Sequence, residues 1–373
     1  MITRTATKNY LLNIQVLRFV AAFLVVLGHV LTSADRMPLQ GDQLSLTRSF
    51  ADSFGIGVDI FFIISGFIMF YLCHDKFGQK GQSSSFLLRR FIRVVPIYWA
   101  FTALMVASIL IFADQVTTAI INPEHLLASL AFIPWMNPDG IMRPVLKLGW
   151  TLNYEIFFYL AFGLALNLPR RIALPVLFSV FLMAVAFNAF VPSELWILKF
   201  WSDPIILEFL LGIGLAAAFL REWRLSFTQS AALIALACFT LIFLVPVAQL
   251  HGVTFRPLIF GIPSLMICAA FAFGPQMSAD RLLDRALVLF GTASYCLYLS
   301  HPFILNAVER MGIGWWSTHP GAFVMAACVA SVFGSIGLYL WLERPLVRLF
   351  SRFGKLSTGL RRAPAEPLAV EKS

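Results

Sequence analysis

The sequence predicts an all-α, polytopic membrane bundle of about ten transmembrane helices with both termini cytoplasmic. Three observations lead there. Hydrophobic residues make up 59% of the 373-residue chain, charged residues only 13%, and the mean hydropathy is +0.82. Soluble domains carry roughly 45–50% apolar residues, and a soluble body has no interior large enough to hide such an excess. Apolar runs near the ~20 residues needed to cross a bilayer recur along the chain. Lys and Arg gather in alternate loops, which fixes an orientation.

Taken in order, the runs fall at residues 11–32, 54–73, 94–113, 150–168, 172–190, 203–220, 229–248, 255–273, 287–308 and 321–342. The first contains Arg18 and lacks a small-residue cleavage site at its end, so an uncleaved span is expected rather than a signal peptide. Pro96, Pro246 and Pro263 are compatible with spans because neighbouring helices satisfy the freed backbone groups. Residues 125–135 are apolar but too short to span, and a re-entrant or interfacial helix is expected there. Five basic residues (Lys76, Lys80, Arg89, Arg90, Arg93) separate the second and third runs, and seven follow the last. The intervening alternate loops hold at most two each. The net charge of +9 is thus located mostly on the inner face, which disfavours nucleic-acid, cytosolic and secreted readings. Residues 1–353 are expected to form one membrane domain, followed by a disordered cytoplasmic tail at 354–373. No internal repeat is visible. Cys73, Cys238, Cys268, Cys296 and Cys328 all lie in or beside apolar runs and suggest neither disulfides nor a metal site.

Ionisable groups inside a membrane are costly and are functional candidates by default. Arg18 and His29 are eleven residues apart in the first run, so they share a helix face ~16 Å apart along the axis, Arg18 toward the cytoplasm. Asp59, Glu155, Glu208 and His301, with His29, all fall in the outer half of the membrane when the loops set the orientation. Such clustering favours a buried polar site over scattered structural pairs. Ser294, Tyr298 and His301 occupy one face of the ninth run at i, i+4 and i+7. On the cytoplasmic side, RRFIRVVPIYW places Arg90 and Arg93 at neighbouring positions of a helix start. Two guanidinium groups there suit a phosphate-bearing ligand, and they are equally what orientation alone would select. No glycine-rich phosphate loop, HExxH pair or serine nucleophile elbow is present.

Six segments read in order resemble the bacterial membrane-bound acyltransferase family 3. They are LRFVAAFLVVLGH, GVDIFFIISGF, RRFIRVVPIYW, WTLNYEIFFY, SYCLYLSH and WLERP, carrying Arg18 and His29, Asp59, Arg90 and Arg93, Trp150 and Glu155, Ser294, Tyr298 and His301, and Glu343 and Pro345. The resemblance implies transfer of an acyl group, usually acetyl, from cytoplasmic acyl-CoA to an extracytoplasmic acceptor. The first run looks most like the branch that acetylates exopolysaccharide such as succinoglycan. It implies a multi-pass protein of the bacterial inner membrane, in a stand-alone form without the fused hydrolase-like domain. Acyl-CoA would be the donor substrate, with no bound cofactor and no metal. The acceptor would be a polysaccharide or lipid-linked sugar, and nucleic acid is not a partner.

On that resemblance, Arg90 and Arg93, assisted by Arg18, would hold the acyl-CoA phosphates. His29 would act as general base or be acylated itself. Asp59 or Glu155 would orient its imidazole. Tyr298, Ser294 and Trp150 are candidate oxyanion donors, while Glu208 and His301 receive no role. The competing class is a transporter or flippase for a lipid-linked glycan. A non-catalytic scaffold, or a redox or haem protein using His29 and His301, explains fewer of these features.

Overall fold

The computed structural model describes residues 4–37, 52–111, 122–137, 140–250, 255–277 and 282–358. Among these residues every regular element is helical, apart from one isolated bridge between Met136 and Met142. Most of each of the ten apolar runs is helical, and the described residues form fifteen α-helices. They are α1 (Arg4–Arg36), α2 (Ile56–Cys73), α3 (Gln82–Ile111), α4 (Pro123–Leu130), α5 (Trp150–Ala165), α6 (Arg170–Phe187), α7 (Trp196–Trp201), α8 (Leu207–Phe219), α9 (Phe227–Leu250), α10 (Ile262–Phe273), α11 (Leu282–Thr292), α12 (Ser294–Met311), α13 (Ile313–Trp316), α14 (Pro320–Leu338) and α15 (Arg344–Thr358).

Among the described residues, seven helical segments are long and apolar enough to cross a membrane, and α11 with α12, counted as one bent span, makes eight. The expected count of ten is therefore reached only by adding two shorter helices. One is α5, whose 16 residues cover ~24 Å at 1.5 Å per residue, less than a ~30 Å hydrocarbon core. The other is the segment Pro257–Phe273, which opens with a π-helical turn over Pro257–Gly261. The ninth run is broken rather than continuous: α11 and α12 meet at 69°. Residues 125–135 form the end of α4 and an irregular stretch beyond it. α4 is started by Asn122, whose side chain accepts from the Glu124 amide at 2.8 Å, and the chain leaves it through Phe132 at φ 58°. α15 continues to Thr358, and the remaining residues of the expected disordered tail lie outside the described residues.

α1 is the hub, touching α2, α10, α11, α12 and α14. In lipid, helices gain little from apolar burial against one another, so close backbone approach and interdigitation carry association. The tightest crossing joins α2 to α8. There Gly66 faces the Phe209 carbonyl and Gly212 faces the Ile63 carbonyl so closely that neither site has room for a Cβ atom. Aromatic rings fill the space beside this crossing. Phe209 stacks on Phe62 at 4.6 Å and on Phe158 at 4.4 Å between centroids, tying α2, α5 and α8 together. The five cysteines are free thiols.

Candidate functional site

An open cavity, with about 770 Å³ of space including its mouth, lies between α1, α2, α3, α5 and α12. Three arginines line it: Arg18 from α1, and Arg90 and Arg93 from α3. The i, i+3 spacing of the last two puts both on one side of the helix. Arg90 is buried and lies over the rings of Phe86 and Tyr159, 5.8 and 6.0 Å from their centroids. Arg18, also buried, donates to the Gln15 side chain at 3.1 Å. Glu155 lines the same cavity and accepts hydrogen bonds from Tyr159, one turn along α5, and from Ser65 at 3.4 Å. Glu343, buried in a π-helical turn over Tyr339–Glu343, lies near Arg18 and Arg93. The cavity is therefore cationic, moderated by two carboxylates.

The other part of the lining is neutral: Phe61, Thr151, Tyr295 and Tyr298. The Tyr298 hydroxyl sits 2.9 Å from that of Thr151 and 3.2 Å from the Leu148 carbonyl, locking α12 to the start of α5. The Tyr298 ring is 6.3 Å from that of His301. His301 is fully buried, and its Nε2 is 2.7 Å from Nδ1 of the exposed His29; the ring planes are within 17° of parallel and the centroids 5.0 Å apart, so the rings meet end to end through these two nitrogens. A continuous set of neighbours thus leads from the arginines through Tyr298 to the histidine pair.

The single polar layer expected from the sequence is divided among three neighbouring places. Arg18, Arg90, Arg93, Glu155 and Tyr298 meet in the cavity. His29 and His301 form the pair beside it. Asp59 and Glu208, both fully buried, sit elsewhere: Asp59 accepts from Arg256 Nε at 2.8 Å and from a terminal guanidinium nitrogen at 2.6 Å, and Glu208 lies beside them. The expectation that Asp59 or Glu155 orients His29 is corrected accordingly, because each carboxylate is engaged by other partners and His29 is engaged by His301. A buried carboxylate needs a cation, and Arg256 on the approach to α10 is nearer than any imidazole. Trp150 and Ser294 do not line the cavity. Trp150 meets Tyr154 edge-on at 6.0 Å, and the Ser294 hydroxyl is buried without a hydrogen-bond partner among the described residues.

Sequence reasoning missed Arg256, Ser65, Thr151, Tyr159 and Tyr295. Two of these left a trace. Tyr159 is four residues after Glu155, and a carboxylate buried at Asp59 called for a cation that only another helix could provide.

A family model described as an acyltransferase domain, that of acyltransferase family 3, matches residues 11–340. The exopolysaccharide production protein ExoZ of Rhizobium meliloti (strain 1021) is 34% identical over 313 residues, covering 83% of this chain and 94% of that protein. Acyltransferase MdmB of Streptomyces mycarofaciens is 25% identical over 375 residues, covering 92% and 93% of the two chains. Nodulation protein 10 of Rhizobium leguminosarum bv. viciae is 27% identical over 180 residues, covering 43% and 45%. No solved structure matches the chain significantly.

Proposed function

The chain belongs to acyltransferase family 3, and on that premise we propose that it is an inner-membrane O-acyltransferase moving an acyl group, acetyl in the simplest case, from cytoplasmic acyl-CoA to a hydroxyl of an extracytoplasmic or lipid-linked glycan. The likeness to a protein named for exopolysaccharide production supports exopolysaccharide as the acceptor.

One observation supports the reading most: the cavity joins three arginines to a wall that adjoins the histidine pair. Acyl-CoA has the same polarity, with anionic phosphates at one end and a thioester at the tip of a long uncharged arm. Guanidinium groups bind phosphate oxygens with paired, charge-assisted hydrogen bonds. Arg90, held by its ring stacking, and Arg93 and Arg18 beside it anchor the phosphate end at the cytoplasmic side, which the basic loops identify. The arm runs along Tyr295, Thr151 and Tyr298, bringing the thioester toward His29.

There the acceptor hydroxyl gives its proton to His29 as its oxygen attacks the thioester carbon. The new C–O bond forms, the C–S bond breaks, and the departing thiolate takes up the proton from the imidazolium. The products are the ester and CoA thiol, and only the acyl group changes sides. Purified protein in vesicles, supplied with labelled acetyl-CoA and acceptor glycan, should transfer label to the glycan. His29→Ala should abolish transfer while leaving insertion and acetyl-CoA binding intact. Wild-type rates from that variant would sink the reading, and movement of unlabelled acceptor across the vesicle without transfer would replace it with transport.

A further inference from the structure

Resting on that reading, we infer that His301 is a positioning residue that fixes the tautomer of His29, holding its proton on Nδ1 and leaving Nε2 as the basic nitrogen. The assignment follows from what each atom is able to do. His301 Nδ1 lies 3.1 Å from the Leu297 carbonyl oxygen, one turn earlier on α12. A carbonyl only accepts, so Nδ1 of His301 must carry the hydrogen. In a neutral imidazole the other nitrogen is then a lone pair. That lone pair, on Nε2, sits 2.7 Å from Nδ1 of His29, so His29 Nδ1 must donate. Both tautomers are thus assigned from the hydrogen-bond network.

The environment keeps this order in one direction. His301 is fully buried while His29 is exposed, so His29 is the ring that an incoming acceptor meets first. When His29 becomes an imidazolium, its Nδ1–H still points at a lone pair and the cation gains a stronger hydrogen bond. His301 thus occupies the place that a carboxylate takes in a serine triad, with a neutral acceptor instead of an anion. Neither Asp59 nor Glu155 takes that place, since Asp59 is bound by Arg256 and Glu155 by Tyr159 and Ser65.

The test uses the full-length protein in bilayers. Selective 15N labelling of histidine reads tautomers directly, and the signals of His29 are identified by their loss in His29→Ala. Wild-type His29 should carry its proton on Nδ1, and His301→Leu should shift it toward Nε2. In acetyl transfer, His301→Leu should lower kcat on the order of 10²-fold, within the range of a positioned general base, with the KM for acetyl-CoA unchanged. His301→Gln, whose amide oxygen restores an acceptor near Nε2, should recover at least a tenfold part of that loss. A wild-type His29 protonated on Nε2 overturns the inference even if the variants fold poorly, as does a Leu variant with wild-type kcat or a Gln variant no better than Leu. If the wild-type protein transfers no acyl group, the enzymatic reading falls, while the tautomer spectrum still decides the histidine assignment.

Discussion

Asp59 and Arg256, 197 residues apart, meet through both carboxylate oxygens, with nitrogen–oxygen distances of 2.8 and 2.6 Å. The carboxylate is fully buried and the guanidinium side chain 30% exposed. Removing one partner of such a pair leaves an uncompensated charge, whereas removing both is far milder. Asp59→Ala should therefore destabilise the protein by about 3 kcal/mol, the low end for buried pairs because Arg256 is partly wet. The double variant Asp59→Leu with Arg256→Met should recover most of that loss and retain acyl transfer. Thermal unfolding in detergent and transfer assays read the two effects. A folded but inactive double variant would return Asp59 to the chemistry.

Arg90 and Arg93 should matter to the donor rather than to the acceptor. Hydrogen bonds to charged groups contribute about 1.5–3 kcal/mol each, so Arg90→Ala with Arg93→Ala should weaken acetyl-CoA binding by at least about tenfold. The KM for the glycan should stay constant. Arg90→Lys should rescue poorly, because an ammonium neither stacks on Phe86 and Tyr159 as the guanidinium does nor forms paired bonds to phosphate. Isothermal titration with acetyl-CoA checks both statements, and an unchanged affinity in the double variant removes the phosphate clamp.

The crossing of α2 with α8 should be intolerant of any side chain. Gly66 and Gly212 each face a backbone carbonyl of the other helix, and a carbonyl cannot swing aside as a side-chain tip can. Gly66→Leu or Gly212→Leu should cost about 3 kcal/mol or more, the upper part of the overpacking range. The expected result is loss of monodisperse protein on size exclusion. Gly214 and Gly337, which have open space at the same position, should accept alanine without such loss.

Much of this was legible from helix periodicity and loop charge. Arg18 and His29 lie on one helix whose axial rise separates them, and the sequence alone placed them on one face. Arg90 and Arg93 likewise needed only i, i+3 spacing to reach the same cavity. What the sequence left open was partnership between helices. The 69° break between α11 and α12 and the π-helical turn carrying Glu343 are local departures from the regular repeat, and they change which face each residue presents. Depth in the membrane put His29, Asp59 and His301 at a similar level, but depth carries no information about azimuth. His301 turned out to face His29, and Asp59 to face Arg256, because α1 packs on α12 while α2 adjoins the start of the α10 segment.

Tyr298 separates two roles that its position would otherwise confound. It lines the cavity beside the histidine pair, where a hydroxyl donor aimed at a developing oxyanion would be worth about 10²–10³ in kcat. Its hydroxyl, however, is already engaged with Thr151 and the Leu148 carbonyl, tying α12 to the entry of α5. Such a tie contributes about 1 kcal/mol to stability and leaves the ring to hold the wall against His301. Tyr298→Phe keeps the ring and removes the tie. It should lower the unfolding free energy by about that amount and kcat by less than about tenfold. Tyr298→Ala also removes the wall and should cost far more activity at similar acetyl-CoA affinity. A hundredfold fall in kcat for the phenylalanine variant, with stability unchanged, would mean that the hydroxyl leaves Leu148 and Thr151 when the donor binds and serves the oxyanion itself.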